Sequence, residues 1–216
     1  SSLCGTYELE RLLTFLVETL EQTTSATIEL PVEQGDLLQQ VQAALAAWQD
    51  SDDLERDLRY WDVAATARET YRERVRLGFD GETQALSAYD LASTLTAFRA
   101  KVRAGIERAV GMNDGTPPTY VAYQVSDYEV LTDADGNVER DGQGRPYVRP
   151  LRFEPHMLPL FLEGPVHALK TEASAVRARD LYERVKSSPL YDQALGMYKV
   201  NAPLEGESHE LGRCRA

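Results

Sequence analysis

The densest group of residues able to do chemistry lies near the end of the chain, where a helical pattern gives way to a polar stretch containing Gly and Pro. The polar side chains there are Asn201, Glu205, Glu207, His209, Glu210 and Arg213. Carboxylates beside an imidazole can bind sugar hydroxyls or carry out acid–base steps. A solvated, charged end of the chain is the competing interpretation, and the residues alone favour it.

The spacing of the ligand-type residues gives metal chemistry little support. The histidines are His156, His167 and His209, no HExxH motif occurs, and no cysteine pair has the spacing of a zinc site. Glu163 lies four residues before His167, but we expect Gly164–Pro165 to break the helix that would align the two side chains. We therefore expect no metal site, and histidines that are hydrogen-bonded near the core.

The cysteines and the common catalytic motifs point to no particular reaction. Cys4 and Cys214 lie near opposite ends of the chain, so we expect free, buried thiols, with a disulfide between them as the alternative. Cys4 has no base beside it in the sequence, and the motifs GxGxxG, GxxxxGK[ST] and GxSxG are absent. Nucleotide-dependent and serine-hydrolase chemistry therefore lack their usual sequence support, and we expect no organic cofactor.

An acidic segment, Asp133–Asp141, alternates oxygen-bearing side chains in a way that suggests calcium binding. An EF-hand loop needs glycine at its sixth position and glutamate at its twelfth. Val138 and Gly144 occupy those positions here. We predict a solvated hairpin turn instead.

Composition limits the partners. The 216 residues carry a formal net charge of −12 and a pI of about 4.8, so the surface repels phosphate backbones and anionic membranes. The sequence has no apolar run long enough to span a bilayer and no signal peptide at its start. We expect a soluble, cytoplasmic protein without nucleic-acid or membrane partners. Because the chain starts at Ser1 rather than Met, we also expect a fragment whose partner is the remainder of a larger polypeptide.

The first half of the chain predicts successive amphipathic helices. Apolar residues recur at helical spacing from Tyr7 to Gln22, from Asp36 to Trp48, from Asp52 to about Leu77 and from Glu82 to Val110. We expect Asp36 to cap the second helix and Gly111 to end the fourth. Long helices joined by short loops predict a mostly α protein built from antiparallel α-hairpins.

The second half contains one β insertion. Residues 120–131 and 147–153 predict a β-hairpin around the turn signals DADGN and DGQGRP, so residues 113–153 form an inserted loop and hairpin within a single helical domain, 1–216. The apolar stretch Leu151–Lys170 carries three prolines and predicts a buried connector. A helix from Pro165 to about Lys186 and a short helix from Ser188 to about Lys199 follow.

Two segments carry a family resemblance. LPLFLEGPVHALK (Leu158–Lys170) and SPLYDQALGMYKVNAPLEGESHELGR (Ser188–Arg213) resemble part of the large bacterial proteins described as cellobiose-phosphorylase-like. Those proteins are glycoside phosphorylases and hydrolases built on an (α/α)₆ barrel. The resemblance implies that the α-hairpins here are part of an α/α toroid-like array.

The resemblance also implies an activity in carbohydrate metabolism. It would be cleavage of glycosidic bonds in gluco-oligosaccharides, by water or by transfer of the glycosyl group to inorganic phosphate as a co-substrate. The family's catalytic-acid motif has no counterpart in this chain, so the catalytic residue is unknown. Loops after barrel helices carry substrate contacts in such enzymes, which makes Asn201, Glu205, Glu207, His209 and Arg213 candidates for binding an oligosaccharide. The alternative is a non-catalytic helical protein-interaction module.

Overall fold

The computed structural model describes residues 2–23, 25–53 and 55–205, and the fold of these residues is mostly helical, as predicted. The helices are α1 (Leu3–Gln22), α2 (Val32–Gln49), α3 (Arg56–Arg74), α4 (Ala88–Gly111), α5 (Glu163–Thr171) and α6 (Ala175–Lys186). The strands are β1 (Thr27–Pro31), β2 (Thr83–Ser87), β3 (Val121–Val130), β4 (Val148–Met157), β5 (Tyr191–Asp192) and β6 (Met197–Tyr198). They pair as antiparallel ladders β1–β2, β3–β4 and β5–β6.

The chain divides into two compact units. One comprises residues 8–105, and the other comprises residues 1–7 together with 106–216. Within the described part of the chain, no helix is long and apolar enough to cross a bilayer. The expected single domain and toroid-like array stay predictions.

In the unit of residues 8–105, α1 and α4 build the core with the stripes that their periodicity predicts. Leu13 and Val17 of α1 are buried with Leu91 and Leu95 of α4. Half-buried neighbours from α1, β1, α2 and α4 complete this cluster: Leu16, Leu20, Ile28, Leu30, Leu38, Phe98 and Val102. Burial of such stripes, rather than helix propensity, supplies most of the stability of helices of this length.

Helix α2 begins earlier than its expected cap. The helix starts at Val32, directly after Pro31, whose φ of −51° suits the turn into a helix. Asp36 therefore lies inside the helix, where its carboxylate pairs with Arg74 at 2.7 Å rather than capping. The prediction of Asp36 as the cap was wrong.

Helix α3 buries a different face from the one that its largest apolar residues predict. Leu58 and Trp61 are more than half exposed, whereas Ala67 is buried. Tyr60 and Tyr71 are half-buried on the same side as Ala67. Helices α2 and α3 pack against each other. This contact determines that α3 buries its alanine and tyrosine face rather than the face that carries Leu58 and Trp61.

The start of the fourth predicted helix is a strand instead. Residues Thr83–Ser87 pair with Thr27–Pro31 in antiparallel register, and α4 begins only at Ala88. Glu82 accepts a further backbone hydrogen bond from Val32, at 3.1 Å. The long-range partner strand overrides the local helical pattern, and the predicted end at Gly111 is confirmed.

In the other unit, the predicted β-hairpin is confirmed, with a return strand longer than expected. Strands β3 and β4 pair from Val121↔Met157 to Val130↔Val148, with an irregularity around Asp127. At the two tips, Asp133 and Asp141 each accept backbone N–H bonds from residues two and four positions on. These carboxylates organise tight turns, as the sequence predicts.

The proline-rich connector is part strand, part loop and part helix. Residues 151–155 lie exposed in β4, so the expectation that this part is buried was wrong. Residues 158–162 are half-buried and irregular, and α5 starts at Glu163. The prolines do prevent one regular helix.

The two elements predicted after the connector also differ from expectation. Instead of one helix to Lys186, α5 and α6 are separated at Glu172–Ser174, because Ser174 caps α6 by accepting a hydrogen bond from Arg177 N. The segment after Pro189 is the β5–β6 hairpin rather than a helix. Asp192 accepts backbone bonds from Ala194 and Leu195 and thereby stabilises the turn.

Candidate functional site

The tail segment, residues 200–202, forms backbone hydrogen bonds with the connector residues that directly precede α5. Leu162 N donates to Val200 O at 2.8 Å, and Ala202 N donates to Leu160 O at 2.7 Å. Ala202 is buried against Leu190, which is fully buried. Residues 160–162 and residues 200–202 therefore lie against each other.

The structure places only part of the predicted tail cluster. Asn201 is half-buried, forms a β-bridge with Phe161, and donates its side-chain amide to Ala202 O. Glu205 is exposed. Glu207, His209 and Arg213 lie outside the described residues.

A tyrosine cluster, formed by Tyr182, Tyr191 and Tyr198, lies on the same part of this unit. The Tyr191 and Tyr198 rings have centroids 4.9 Å apart, and the Tyr182 and Tyr198 rings 6.4 Å apart. The Lys186 ammonium lies 5.9 Å from the Tyr182 ring and from the Tyr191 ring. Pairing of β5 with β6 brings Tyr191 opposite Tyr198, and α6 supplies Tyr182 and Lys186.

The residues that follow Tyr191 and Tyr198 in the chain are charged. Asp192 and Lys199 form an ion pair at 3.6 Å. A hydrogen bond with Tyr182, followed by burial, raises the pKa of Tyr198 to about 12. The cluster thus combines aromatic faces with hydroxyl groups and the Lys186 ammonium, which suits a ligand with both apolar and hydroxylated surfaces.

A second group of reactive side chains, the Cys–Glu–His cluster, is formed by Cys4, Glu163 and His167. One ligand atom from each of the three lies within 4.8 Å of the other two. Cys4 is buried, His167 half-buried and Glu163 exposed. The sequence does not predict this cluster, because Cys4 lies far from the other two residues in the chain.

The expected helix break at Gly164–Pro165 was also wrong. Helix α5 runs from Glu163 through Pro165 to Thr171 without interruption. Proline is tolerated in the first turn of a helix, since its missing N–H would have no intrahelical partner there. Glu163 and His167 are therefore one turn apart on a continuous helix and lie on one face.

Thr119 holds both helices that carry the Cys–Glu–His cluster. Its carbonyl oxygen accepts from Leu3 N at 2.8 Å, next to Cys4 in α1. Its hydroxyl accepts from Gly164 N at 2.8 Å and donates to Phe161 O at 2.9 Å. Thr119 is 1 % exposed, so these bonds are shielded from water.

The electrostatics of the cluster disfavour further negative charge. Burial, and then the charge of Glu163, raise the pKa of the Cys4 thiol, although its hydrogen bond with Ser2 acts in the opposite direction. The negative charge of Glu163 raises the pKa of the Tyr120 hydroxyl, which lies 3.5 Å from Glu163 Oε2. Catalytic cysteines have lowered thiol pKa values, so this cluster does not resemble an activated Cys–His nucleophile.

His156 lies in β4 opposite Ala122 and takes part in neither cluster.

No protein-family model matches the chain, and no curated protein matches it either.

Proposed function

We propose that this chain is part of a carbohydrate-active enzyme that cleaves glycosidic bonds of gluco-oligosaccharides, and that the tyrosine cluster contacts the sugar. The observation that supports the proposal is the gathering of Tyr182, Tyr191 and Tyr198 on α6 and the β5–β6 hairpin. The chain continues from Tyr198 into the tail segment, residues 200–202, which contains Asn201. This is the segment that carries the resemblance to glycoside phosphorylases.

The chemistry of the tyrosine cluster suits a glucose unit. A pyranose ring has an apolar face of C–H groups and a rim of hydroxyls, and a tyrosine offers an apolar ring with a polar tip. The Lys186 ammonium, 5.9 Å from the Tyr182 and Tyr191 rings, supplies a charged partner for sugar hydroxyls. A few polar groups placed beside apolar side chains are typical of small-molecule sites.

The proposal extends to the architecture and the reaction. The helices would belong to an α/α toroid-like array completed by the remainder of a larger, cytoplasmic polypeptide. A carboxylic acid would protonate the leaving oxygen, with phosphate or water attacking the anomeric carbon. None of the described residues is assigned as that acid. The tail residues Glu205, Glu207, His209 and Arg213 would be among the sugar contacts.

Titration of the chain with a cello-oligosaccharide, followed by backbone amide NMR shifts, tests sugar binding. We expect resonances of residues 182–205 to move at millimolar ligand. Tyr191→Ala should weaken binding about tenfold, equivalent to ~1.4 kcal/mol, because one aromatic face is lost. Tyr89→Ala, at an 81 % exposed tyrosine of α4, is the control and should leave the affinity unchanged. If no resonance moves, the sugar-binding proposal is wrong.

The alternative, a non-catalytic interaction module, is favoured by the β3–β4 hairpin. Tyr123, Tyr128, Leu151 and Phe153 are all more than half exposed there, on a two-stranded ladder. Open edges of such a ladder can pair with a strand of a second copy of the chain. This function predicts concentration-dependent dimers in light scattering that Leu151→Ser with Phe153→Ser abolishes, and no response to oligosaccharide.

A further inference from the structure

We propose that Cys4, Glu163 and His167 bind a divalent transition-metal ion, with Zn²⁺ as the best match to their chemistry. The inference is independent of the proposed sugar site, since none of the three residues belongs to the tyrosine cluster. It replaces the expectation of no metal, one ground of which was a helix break at Gly164–Pro165 that the structure does not have.

The ligand set matches zinc in type and number. Thiolate sulfur, imidazole nitrogen and carboxylate oxygen are the zinc ligands of proteins, and softer and harder ions each favour only part of this set. In a tetrahedral zinc site the ligand atoms are about 3.5 Å apart. The three atoms here lie within 4.8 Å of one another, so small side-chain rotations close the site.

The backbone around the site already holds the ligands together. Leu3 N and Gly164 N both bond to Thr119, one through its carbonyl oxygen and the other through its hydroxyl. An antiparallel bridge also joins Ser2 to Tyr120, which are the chain neighbours of Leu3 and Thr119. Ligands placed by buried backbone hydrogen bonds lose little further conformational entropy when an ion binds.

Gly164 makes the close approach of α5 possible. A Cβ at this position would lie 2.6 Å from Thr119 Oγ1 and 2.9 Å from Thr119 N. Only glycine at position 164 allows this close approach. The hydrogen bond from Gly164 to Thr119 therefore fixes the position of the adjacent Glu163. A cation at this point would also offset the charge of Glu163, which at present opposes ionisation of the Cys4 thiol and of Tyr120.

Three protein ligands leave one tetrahedral position unfilled by the described residues. Structural zinc sites have four protein ligands, whereas sites with three keep a position for water or another small ligand. Glu163 is the exposed member of the cluster and places the site within reach of solvent. The proposed zinc site is therefore open, with an exchangeable fourth ligand.

Titration of the metal-free, reduced chain with Co²⁺ tests the site, because a cobalt–thiolate bond gives an ultraviolet charge-transfer band. We expect the band to saturate at one equivalent and Zn²⁺ to displace it. Cys4→Ser should abolish the band, whereas Cys214→Ser should retain it. His167→Ala and Glu163→Gln should each weaken binding by more than about 100-fold, the upper end of the range for outer-shell changes.

Two further controls separate ligation from folding. His156→Ala, at the histidine of β4, should leave the Co²⁺ affinity unchanged. Circular dichroism of every variant checks that the fold persists, and Zn²⁺ should raise the Tm of the native chain but not of folded Cys4→Ser. A band that survives in Cys4→Ser, or the absence of binding at micromolar Co²⁺ in the folded native chain, would overturn the proposal.

Discussion

Gly164 donates its backbone N–H to the hydroxyl of Thr119 at 2.8 Å. A Cβ at position 164 would lie only 2.6 Å from the same hydroxyl oxygen, so the contact requires glycine. The Thr119 hydroxyl in turn donates a hydrogen bond to Phe161 O at 2.9 Å. One buried threonine thus fixes both the first turn of α5 and the irregular residues that directly precede it. This relationship places Glu163 and His167 beside Cys4.

Thr119→Val should lower the free energy of unfolding by ~1–3 kcal/mol, because it leaves the buried Gly164 N–H without its acceptor. Urea unfolding followed by circular dichroism measures the change. Thr70→Val, at an exposed threonine of α3, is the matched control and should change stability by less than about 0.5 kcal/mol. Equal effects of the two substitutions would contradict the role assigned to Thr119. If the metal site exists, Thr119→Val should also weaken Co²⁺ binding by about 10–100-fold.

Gly164→Ala and Gly105→Ala should have opposite effects, although both glycines are helical. The alanine Cβ at 164 meets the backbone of residues 118 and 119 within 3.0 Å, so we expect a loss of ~1–3 kcal/mol. At 105 a Cβ meets nothing within 4 Å, so the better helix propensity of alanine should add ~0.5–1 kcal/mol. Thermal unfolding of the two variants distinguishes them. Stabilisation by Gly164→Ala would show that the close contact is absent in solution.

Arg103→Met should destabilise the unit of residues 8–105 by ~1–3 kcal/mol, because it leaves a buried carboxylate without its cationic partner. Arg103 bonds to Glu10, whose side chain is only 7 % exposed, at 2.7 Å. Arg11→Met breaks a pair of similar length, 2.8 Å, with Glu8 on the surface, and should cost less than about 1 kcal/mol. Chemical denaturation of both variants gives the comparison. Similar losses for the two would mean that burial of Glu10 contributes nothing.

The tyrosine cluster should titrate abnormally at high pH. The raised pKa of Tyr198, about 12, means that its neutral form is favoured in the folded chain. Below the ordinary tyrosine pKa of about 10 this contribution to stability is complete, and it is lost as pH rises towards about 12. Tyr182→Phe removes the main cause, so the Tyr198 midpoint should fall towards 10. NMR of the tyrosine ring carbons measures the midpoint, and Tyr89→Phe should leave it unchanged.

The sequence determined those elements whose local pattern agrees with their final environment. The stripes of α1 and α4 predict the core because each repeats over several turns, and a partner stripe exists to cover it. The β3–β4 hairpin follows from Asp and Gly turn chemistry, which acts within a few residues. In these regions local propensity and tertiary packing favour the same structure.

Elsewhere the tertiary structure decided, because partners distant in the chain outweigh weak local preferences. Residues 83–87 become a strand through pairing with β1, and α3 buries alanine and tyrosine because of its contact with α2. The Cys–Glu–His cluster is the clearest case, since some 160 residues separate Cys4 from Glu163. No periodicity encodes such a contact. It exists because the backbone of Thr119 holds α1, and its hydroxyl holds α5.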